Sequence, residues 1–464
     1  MSAVPCPDRA RQPTRILLAT AAGYTNVGDD AIAHAVLARL AAEFRDARIV
    51  VIAGRHLPAA ALPPASRLDW DNLDRLAEAV AEADAVVLGG GGLLYDSTFR
   101  AAAVDLFRRT PHWLVRAAKL AVLARISGRP LMLYSIGVGP LVSPAGRGLA
   151  RLVAESAQCV TVRDDYSRQA LAECGIAEGA LRLAADPALE LAPTADEPAA
   201  ALLGRSGLAQ LPRPLIGLNL RPWFRFQGVA LASRPEMDDL LAAAEDAVER
   251  LAQQTGGSVI GMPLQAGRDG DALVLRRVLR RLLRRNRAAM VGPRSPAAAL
   301  AVASQMDVMI GMRLHAHIFA ADCAVPSVAL AYDPKVACLM SDLGMEEFML
   351  PAHGVTSESI AGATMRALRL RVELRQRIRS RRAGLRERCD EPVRLLRDLL
   401  RAGTPQRAPA SASAADDAAG WRAERAALLH YIASLQRAPD SWFMRALEPV
   451  RWAAEALRRL AGRG

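Results

Sequence analysis

The stretch MDVMIGMRLHAH, residues 306–317, decides the fold because it joins a predicted strand to a predicted helix. Its first residues are apolar and include β-branched types, which predicts a short buried strand that ends at Gly311. Apolar residues then recur at helical spacing. In a parallel α/β sheet, ligands bind at the carboxyl ends of strands, beside helix N-termini that attract anions. Arg313 and His315 therefore face the predicted ligand crevice.

The two side chains in this turn have chemistry that suits an acidic ligand. Arginine carries a permanent charge and a planar fork for carboxylate or phosphate, and histidine exchanges a proton near neutral pH. The structural alternative is an Arg313 held in an ion pair, with His315 and His317 both in the core. The heptapeptide at residues 311–317 leaves these two interpretations open.

Strands and helices alternate along most of the chain. A first series of strands is predicted at residues 15–20, 48–53, 85–88, 131–135, 159–163 and 181–185, and a second at 215–220, 258–262, 288–291, 308–310 and 327–331. Helical patterns fit between them, including a long one over residues 101–127. This alternation predicts an α/β protein with two Rossmann-like, doubly wound parallel sheets that face a central cleft. A helical C-terminal extension follows.

The composition predicts six segments. They are a disordered N-terminus (1–13), a first Rossmann-like domain (14–195), a second one (196–356), one or two Arg-rich helices with a crossing back to the first domain as one option (357–402), a linker rich in Pro, Ala and Ser (403–420), and a basic amphipathic helical tail (421–464). The pattern in the tail is typical of a helix on an anionic membrane, and equally of one that docks on protein.

Positive charge is concentrated in the last part of the chain. Residues 361–464 contain 22 Arg and 11 Asp plus Glu, a net of +11 out of +12 for the whole chain. The remainder is nearly neutral, which argues against a nucleic-acid channel through it. Six cysteines show neither close pairing nor zinc spacing, which predicts reduced thiols in the cytoplasm. We expect no metal and no cofactor.

Two loops and one arginine complete the candidate site. Gly89 to Gly92 follow a buried strand and offer backbone N–H groups to anions, although they lack the dinucleotide fingerprint. The sequence Asn26-Val27-Gly28-Asp29 places an amide and a carboxylate after the first strand, which suits sugar hydroxyls; helix capping by Asp29 or Asp30 is the structural alternative. Arg221 ends the first strand of the second series and points to the same crevice as Arg313.

Taken together, these motifs resemble the polysaccharide pyruvyl transferase family. The resemblance covers roughly residues 14–345. It rests on Asn26-Val27-Gly28-Asp29-Asp30-Ala31, Leu88-Gly89-Gly90-Gly91-Gly92, Ser135-Ile136-Gly137-Val138-Gly139-Pro140, Val162-Arg163-Asp164, Asp186-Pro187-Ala188, Gly261-Met262-Pro263, Gly311-Met312-Arg313-Leu314-His315-Ala316 and Tyr332-Asp333-Pro334-Lys335-Val336. Two residues depart from the pattern, because Gln265 stands where many relatives have His and Asp30 replaces a commoner Glu.

The resemblance implies a fold like that of GT-B glycosyltransferases, and transfer of enolpyruvate from phosphoenolpyruvate to a sugar. The product would be a pyruvate ketal on a cell-surface polysaccharide or its lipid-linked precursor, made in the cytoplasm or at the inner face of the membrane. The implied donor site contains Arg221, Arg313, His315 and Lys335. Within it, Arg313 and Arg221 clamp the carboxylate and phosphate, and His315 is the general acid.

The acceptor side is expected in the first domain. We assign it Asn26, Gly28, Asp29, Gly90 and Gly91, with Asp29 as a third catalytic residue. Because a shared fold does not fix function, two alternatives stay open at this point. One is a GT-B glycosyltransferase that uses a nucleotide-sugar, and the other is a non-catalytic partner protein that binds the membrane through its basic tail.

Overall fold

The computed structural model describes residues 13–57, 66–97, 99, 101–108, 110–191, 197–222, 225–226, 229–230, 234–267 and 270–402. The sequence predictions for the N-terminus, the linker and the amphipathic tail fall on residues outside these ranges, apart from residue 13. We call residues 13–191 the N-terminal half and residues 197–356 the C-terminal half. Both halves lie in one compact unit. Ala102–Pro111 belong to a second unit, in which Ala103–Phe107 form a short 3-10 turn.

The N-terminal half contains a parallel sheet covered by helices. Its strands are β1 (Arg15–Ala19), β2 (Arg48–Ile52), β3 (Ser66–Leu68), β4 (Ala85–Leu94), β5 (Leu131–Val138), β6 (Cys159–Val162) and β7 (Leu181–Leu183). Its helices are α1 (Val27–Glu43), α2 (Leu73–Glu82), α3 (Trp113–Ile126), α4 (Pro144–Glu155) and α5 (Asp165–Glu173). The strand order is β3-β2-β1-β4-β5-β6-β7. Every residue of β5 is buried, as expected for a sheet with helices on both faces.

The C-terminal half repeats the architecture with six parallel strands. After α6 (Glu197–Ser206), its elements are β8 (Leu215–Asn219), a short hairpin of β9 (Arg225–Phe226) and β10 (Val229–Ala230), α7 (Arg234–Thr255), β11 (Ser258–Gly261), α8 (Ala272–Arg284), β12 (Ala288–Met290), α9 (Pro296–Ala303), β13 (Val308–Gly311), α10 (Leu314–Asp322), β14 (Ser327–Ala331), α11 (Pro334–Asp342) and β15 (Met349–Pro351). The sheet order is β12-β11-β8-β13-β14-β15. Asn219 pairs with Gly311, so the ends of β8 and β13 are level.

Three helices follow and return to the N-terminal half. They are α12 (Ser357–Arg369), α13 (Arg371–Arg388) and α14 (Asp390–Ala402). Arg382 of α13 donates to the carbonyl oxygens of Leu189 and Leu191, at 3.1 and 3.0 Å. Arg397 of α14 forms an ion pair with Glu43 of α1 at 2.5 Å. The sequence predicted one or two helices here, but the chain forms three, with breaks at Leu370 and Cys389. Pro392 lies in the first turn of α14, where its missing N–H costs nothing.

Three further sequence predictions are corrected by the structure. The helix predicted over residues 101–127 begins only at Trp113, because Pro111 lacks an N–H and favours an extended residue before it. The glycines predicted to open a loop after residue 88 are part of β4, which continues to Leu94. The short strands β3, β9, β10 and β15 were not predicted. None of the described helices could span a bilayer.

Candidate functional site

The turn between β13 and α10 presents Arg313 and His315 at the edge of the second sheet. Arg313 is the N-cap residue of α10, and its extended backbone turns the chain from strand to helix. Leu314, Ala316 and Ile318 are buried, which fixes the first turn of the helix against the core. His317 is fully buried and its Nε2 lies 3.0 Å from the carbonyl oxygen of Gly311. This position agrees with the core interpretation of His317.

Arg313 is held by a buried carboxylate. Its Nε lies 3.0 and 2.8 Å from the two carboxylate oxygens of Asp271, and its Nη2 lies 2.6 Å from Oδ1. The Asp271 side chain has no solvent exposure and also accepts from the backbone N–H groups of Leu264 and Gln265, at 2.9 and 3.1 Å. Asn219 accepts from the Arg313 backbone N–H at 3.1 Å. The guanidinium is therefore rigidly oriented, and both the ion-pair and the anion-clamp interpretations of Arg313 can apply.

A second strand-to-helix turn, between β1 and α1, carries the candidate acceptor residues. The Asn26 side chain caps α1 by accepting from the Gly28 N–H at 3.0 Å. Asp30 accepts from the Gly23 N–H at 2.7 Å. The capping role that the sequence offered to Asp29 or Asp30 therefore belongs to Asn26. Within the described part of the chain, the Asp29 carboxylate has no hydrogen-bond or ion-pair partner.

The two turns are joined across the halves by backbone pairing. The Val27 N–H donates to Leu264 O and the Ala266 N–H donates to Thr25 O, both at 3.0 Å. The side-chain nitrogen of Gln265 donates to Thr25 Oγ1 at 3.1 Å. Gln265 thus ties the halves together in this protein.

His315 packs directly on the first turn of α1. A Cβ placed on Gly28 would lie 2.2 Å from His315 Nδ1, so only glycine leaves room for the imidazole. The Nε2 atom is buried, and no described residue forms a hydrogen bond with it. Two helix N-termini, one from each half, therefore meet at this ring.

Burial moves the pKa values of Asp29 and His315 in opposite directions. Desolvation, together with the neighbouring charge of Asp30, raises the pKa of Asp29 to about 7, against the opposing effect of Arg313, Arg163 and Lys335. Desolvation lowers the pKa of His315 to about 4; Asp186 opposes this and the same three cations reinforce it. Without a ligand, His315 is therefore neutral at pH 7, and Asp29 titrates there. The general-acid role expected of His315 needs a ligand that supplies negative charge.

The other expected donor residues lie at neighbouring strand ends. Arg221, two residues after β8, donates from Nη1 to the Tyr332 hydroxyl at 2.8 Å and lies over the Tyr332 ring, 5.2 Å from its centroid. Lys335, in the first turn of α11, forms an ion pair with Asp333 at 2.7 Å. This contact overcomes the effect of burial and lowers the pKa of Asp333. The donor cations thus sit on three successive strand ends of the C-terminal half.

Arg163 is a buried cation that the sequence did not single out as a site residue. Its ion pairs with Asp164 and Asp186 measure 3.2 and 2.9 Å. Both aspartates also cap helical turns. A Cβ on Gly137 would lie 2.8 Å from the Arg163 guanidinium. The signal for Arg163 was its place after a strand end; Asp271, also missed, follows no strand end and gave no such signal.

Gly90 and Gly91 allow α1 to approach the first sheet. Their φ angles are +61° and +86°, which disfavour any residue with a side chain. A Cβ on Gly90 would lie 2.0 Å from Ile32, and one on Gly91 would lie 3.9 Å from the Asp29 carboxylate. Gly91 therefore borders Asp29. The structure brings together four expected site residues: Asp29, Gly91, Gly28 and His315. The charges of Arg313 and Lys335 act on two of them, Asp29 and His315.

Comparisons with known proteins agree with this description. The family model "Polysaccharide pyruvyl transferase" matches residues 26–334, and no curated protein matches the chain. Among solved structures, Anabaena Alr3699/HepE in complex with UDP-glucose superposes with a TM-score of 0.53 at 15% identity, over 84% of this chain and 98% of that one.

Two further structures are similar at comparable identity. A putative UDP-N-acetylglucosamine 2-epimerase from Listeria monocytogenes has a TM-score of 0.53 and 13% identity, and covers 79% of this chain and 90% of its own. A glycosyltransferase from Rickettsia africae has a TM-score of 0.52 and 12% identity, and covers 84% and 99%. At these identities the likeness shows the fold, which is the GT-B-like arrangement expected from the sequence.

Proposed function

The chain belongs to the polysaccharide pyruvyl transferase family, and we propose that it transfers enolpyruvate from phosphoenolpyruvate to two hydroxyls of a sugar, with release of phosphate. The observation that carries the proposal is the meeting of the α1 and α10 N-termini. There, a carboxyl group with a pKa of about 7 and an imidazole with a lowered pKa share one cluster of cations. Such a site suits a ligand with several negative charges and a reaction that moves protons.

Phosphoenolpyruvate supplies both anionic groups that the cations would bind. In the proposal, Arg313 presents the guanidinium nitrogen Nη1, which no described residue engages, while Asp271 fixes the other two nitrogens. Arg221 and Lys335 bind the second anionic group, and the N–H groups at the start of α10 add their dipole. Arginine forks bind carboxylate and phosphate with defined geometry, so these contacts also orient the donor.

His315 is the proposed proton donor to the methylene carbon of phosphoenolpyruvate. The carboxylate and phosphate charges, once bound, would raise its pKa from about 4. Proton transfer leaves a cation at the central carbon, which a sugar hydroxyl attacks. Loss of phosphate and attack by a second hydroxyl then close the ketal. Of the two hydroxyl protons released, Asp29 accepts the first and passes it to the leaving phosphate, and the second replaces the proton that His315 gave up.

Asp29 is the proposed base for the acceptor hydroxyl. Its carboxylate borders Gly91 and lies in the first turn of α1, opposite the donor cations. Gly28 leaves room for the His315 ring, and Asn26 caps α1. Gly90 allows the sheet of the N-terminal half to lie close to α1. We propose that the acceptor is a sugar of a cell-surface polysaccharide or its lipid-linked precursor, on the cytoplasmic side of the membrane.

The competing function is a nucleotide-sugar transferase, because one similar structure holds UDP-glucose. Incubation with phosphoenolpyruvate and lipid-linked oligosaccharides tests the proposal, with free phosphate and ketal-bearing product as the readouts. Parallel reactions replace phosphoenolpyruvate by UDP-sugars and measure UDP. Release of UDP with sugar transfer, and no consumption of phosphoenolpyruvate by any acceptor, would replace the proposed function by the competing one.

A further inference from the structure

A basic corner with exposed apolar side chains lies where α12 meets α13. We define it by six residues: Arg369, Leu370, Arg371, Val372, Arg375 and Arg379. Leu370 is 38% exposed and Val372 is 68% exposed, which is unusual for large apolar residues in this structure. Residues 366–388 contain ten Arg against two Glu. The corner therefore combines strong positive charge with solvent-exposed apolar surface.

The charge on this corner is not neutralised as it is on another basic helix of the same protein. On α8 and at its C-cap, Arg277, Arg281 and Arg285 form ion pairs with Asp238, Glu245 and Glu249 of α7, at 2.6, 3.3 and 2.9 Å. In the part of the chain that the structure describes, the four arginines of the corner form no ion pair.

The geometry of α13 points the corner outward. Val372, Arg375 and Arg379 are spaced three and four residues apart, so they share one side of the helix. Leu374, Ile378 and Leu385 are buried on the other side, against the body. The junction between α12 and α13 lies at the end of this outward side and consists of Arg369, Leu370 and Arg371. Cations and apolar groups therefore belong to one continuous surface.

We propose that this corner docks on an anionic lipid surface. Guanidinium groups bind lipid phosphates, and Leu370 and Val372 enter the boundary between headgroups and acyl chains. The apolar pair favours a membrane over nucleic acid, which would leave these two side chains in water. Each basic residue at such a surface strengthens binding about five-fold, so four together contribute several hundred-fold, on the order of what peripheral attachment needs.

Vesicle sedimentation with the full chain, without substrates, tests the proposal independently of the transfer reaction. Vesicles of phosphatidylglycerol mixed with phosphatidylcholine are compared with phosphatidylcholine alone. The test variant is Arg369→Gln/Arg371→Gln/Arg375→Gln/Arg379→Gln. Its matched control, with the same change in charge on exposed positions, is Arg276→Gln/Arg277→Gln/Arg280→Gln/Arg284→Gln. We expect binding to anionic vesicles only, a loss of at least about 100-fold in the test variant, and a loss under about five-fold in the control.

The apolar contribution is measured separately. Val372→Ser should weaken vesicle binding about ten-fold, and the effect should persist in high salt, whereas Leu273→Ser, at an equally exposed leucine on α8, should not weaken it. Wild-type affinity in the four-arginine variant would overturn the proposal and assign any membrane contact to another part of the chain. Equal binding to neutral vesicles, or binding to nucleic acid but not to vesicles, would also overturn it.

Discussion

Burial at the meeting of two helix N-termini shifts the pKa values of Asp29 and His315 in opposite directions within one site. A carboxyl group with a pKa of about 7 can accept a proton near neutral pH, while an imidazole with a pKa of about 4 starts out neutral. Pairs of titratable groups that are shifted apart in this way commonly divide acid and base roles. In the free protein these shifts by themselves favour Asp29 as the proton donor, so the proposed roles depend on the bound donor, whose negative charges would raise the pKa of His315.

The first prediction concerns His315 as proton donor. His315→Ala should lower kcat by about 100 to 10,000-fold, the usual contribution of a positioned acid, with phosphoenolpyruvate binding largely retained. His34→Ala, at an exposed histidine of α1, is the control and should keep wild-type kcat. Steady-state phosphate release and equilibrium donor binding are the measurements. A His315→Ala enzyme with near wild-type kcat would rule out the acid role.

The second prediction concerns Asp29, whose raised pKa links activity to stability. Its folded pKa of about 7 exceeds the ordinary value of 3.8, so the wild-type protein loses stability as pH rises from about 4 to about 7. Asp29→Asn removes this loss and should stabilise the fold by on the order of 2–4 kcal/mol at pH 8 and hardly at all at pH 4.

The same substitution should lower turnover and remove the rise of kcat/KM through about pH 7, because an amide cannot accept a proton. Denaturant unfolding at both pH values and a pH–rate profile are the measurements. If Asp29→Asn neither stabilised the protein at pH 8 nor changed the profile, Asp29 would be an ordinary ionised carboxylate.

The third prediction concerns the glycine that admits the imidazole. Gly28→Ala would bring a Cβ to 2.2 Å from His315 Nδ1, so the ring must move. A displacement of about 1 Å can cost about 100-fold in rate, and we expect a loss of that size. Gly148→Ala, in α4, is the matched control because a Cβ at that position would have no neighbouring atom within 4 Å; it should keep full activity. Equal activities of the two variants would show that the His315 ring is not constrained by Gly28.

At the scale of elements, the alternation of strands and helices made the two parallel sheets predictable, and the strand ends carried most site residues. The sequence position of Asp271 could not show that it forms an ion pair with Arg313, because the two residues meet only after α8 and α10 have packed. The glycine run was misread for a related reason. Gly90 and Gly91 adopt positive φ within β4, and their need for small size comes from Ile32 of α1, not from a turn.

The fourth prediction belongs to α13, which connects the two halves. Arg382 pairs with the buried Asp322 of α10 at 2.6 Å and donates to two carbonyl groups of the N-terminal half. Arg382→Met leaves that carboxylate buried without its partner and should destabilise the protein by about 3–5 kcal/mol. Arg379→Met, on the exposed side of the same helix, should change stability by less than about 0.5 kcal/mol.

Unfolding in denaturant measures both variants at pH 9, because burial raises the pKa of Asp322 to about 8 against the effect of Arg382 and the carboxyl group is ionised only above that pH. The double variant Asp322→Asn/Arg382→Met should recover part of the lost stability, because it removes the uncompensated charge as well. Comparable stability of Arg382→Met and Arg379→Met would mean that the buried pair does not support the fold.

At the scale of the whole molecule, the site exists only where the halves meet. Residues 24–27 pair with residues 264–266, which places the first turn of α1 against that of α10. The sequence indicated that both turns face a cleft, but the contact of Gly28 with His315 and the bridging contact of Gln265 depend on how two separate sheets dock. Local patterns contain no such information, so the convergence of the site required the structure.

The convergence of cations also makes a prediction for ligand binding by the intact protein. Arg163, Arg313 and Lys335 act together on Asp29 and His315, so a ligand that carries both carboxylate and phosphate is attracted to this cluster of cations. Phosphoenolpyruvate should therefore raise Tm, by an amount corresponding to about 2.7 kcal/mol at 100 times its Kd. Inorganic phosphate should give a smaller rise because it occupies only one of the two anion positions. UDP-glucose, at the same concentration, should give no rise in Tm.

Arg221→Gln removes one of the proposed anion contacts. It should reduce the rise in Tm caused by phosphoenolpyruvate by more than it lowers the Tm of the free protein. A response to UDP-glucose alone would place this member of the family with the nucleotide-sugar enzymes whose fold it shares.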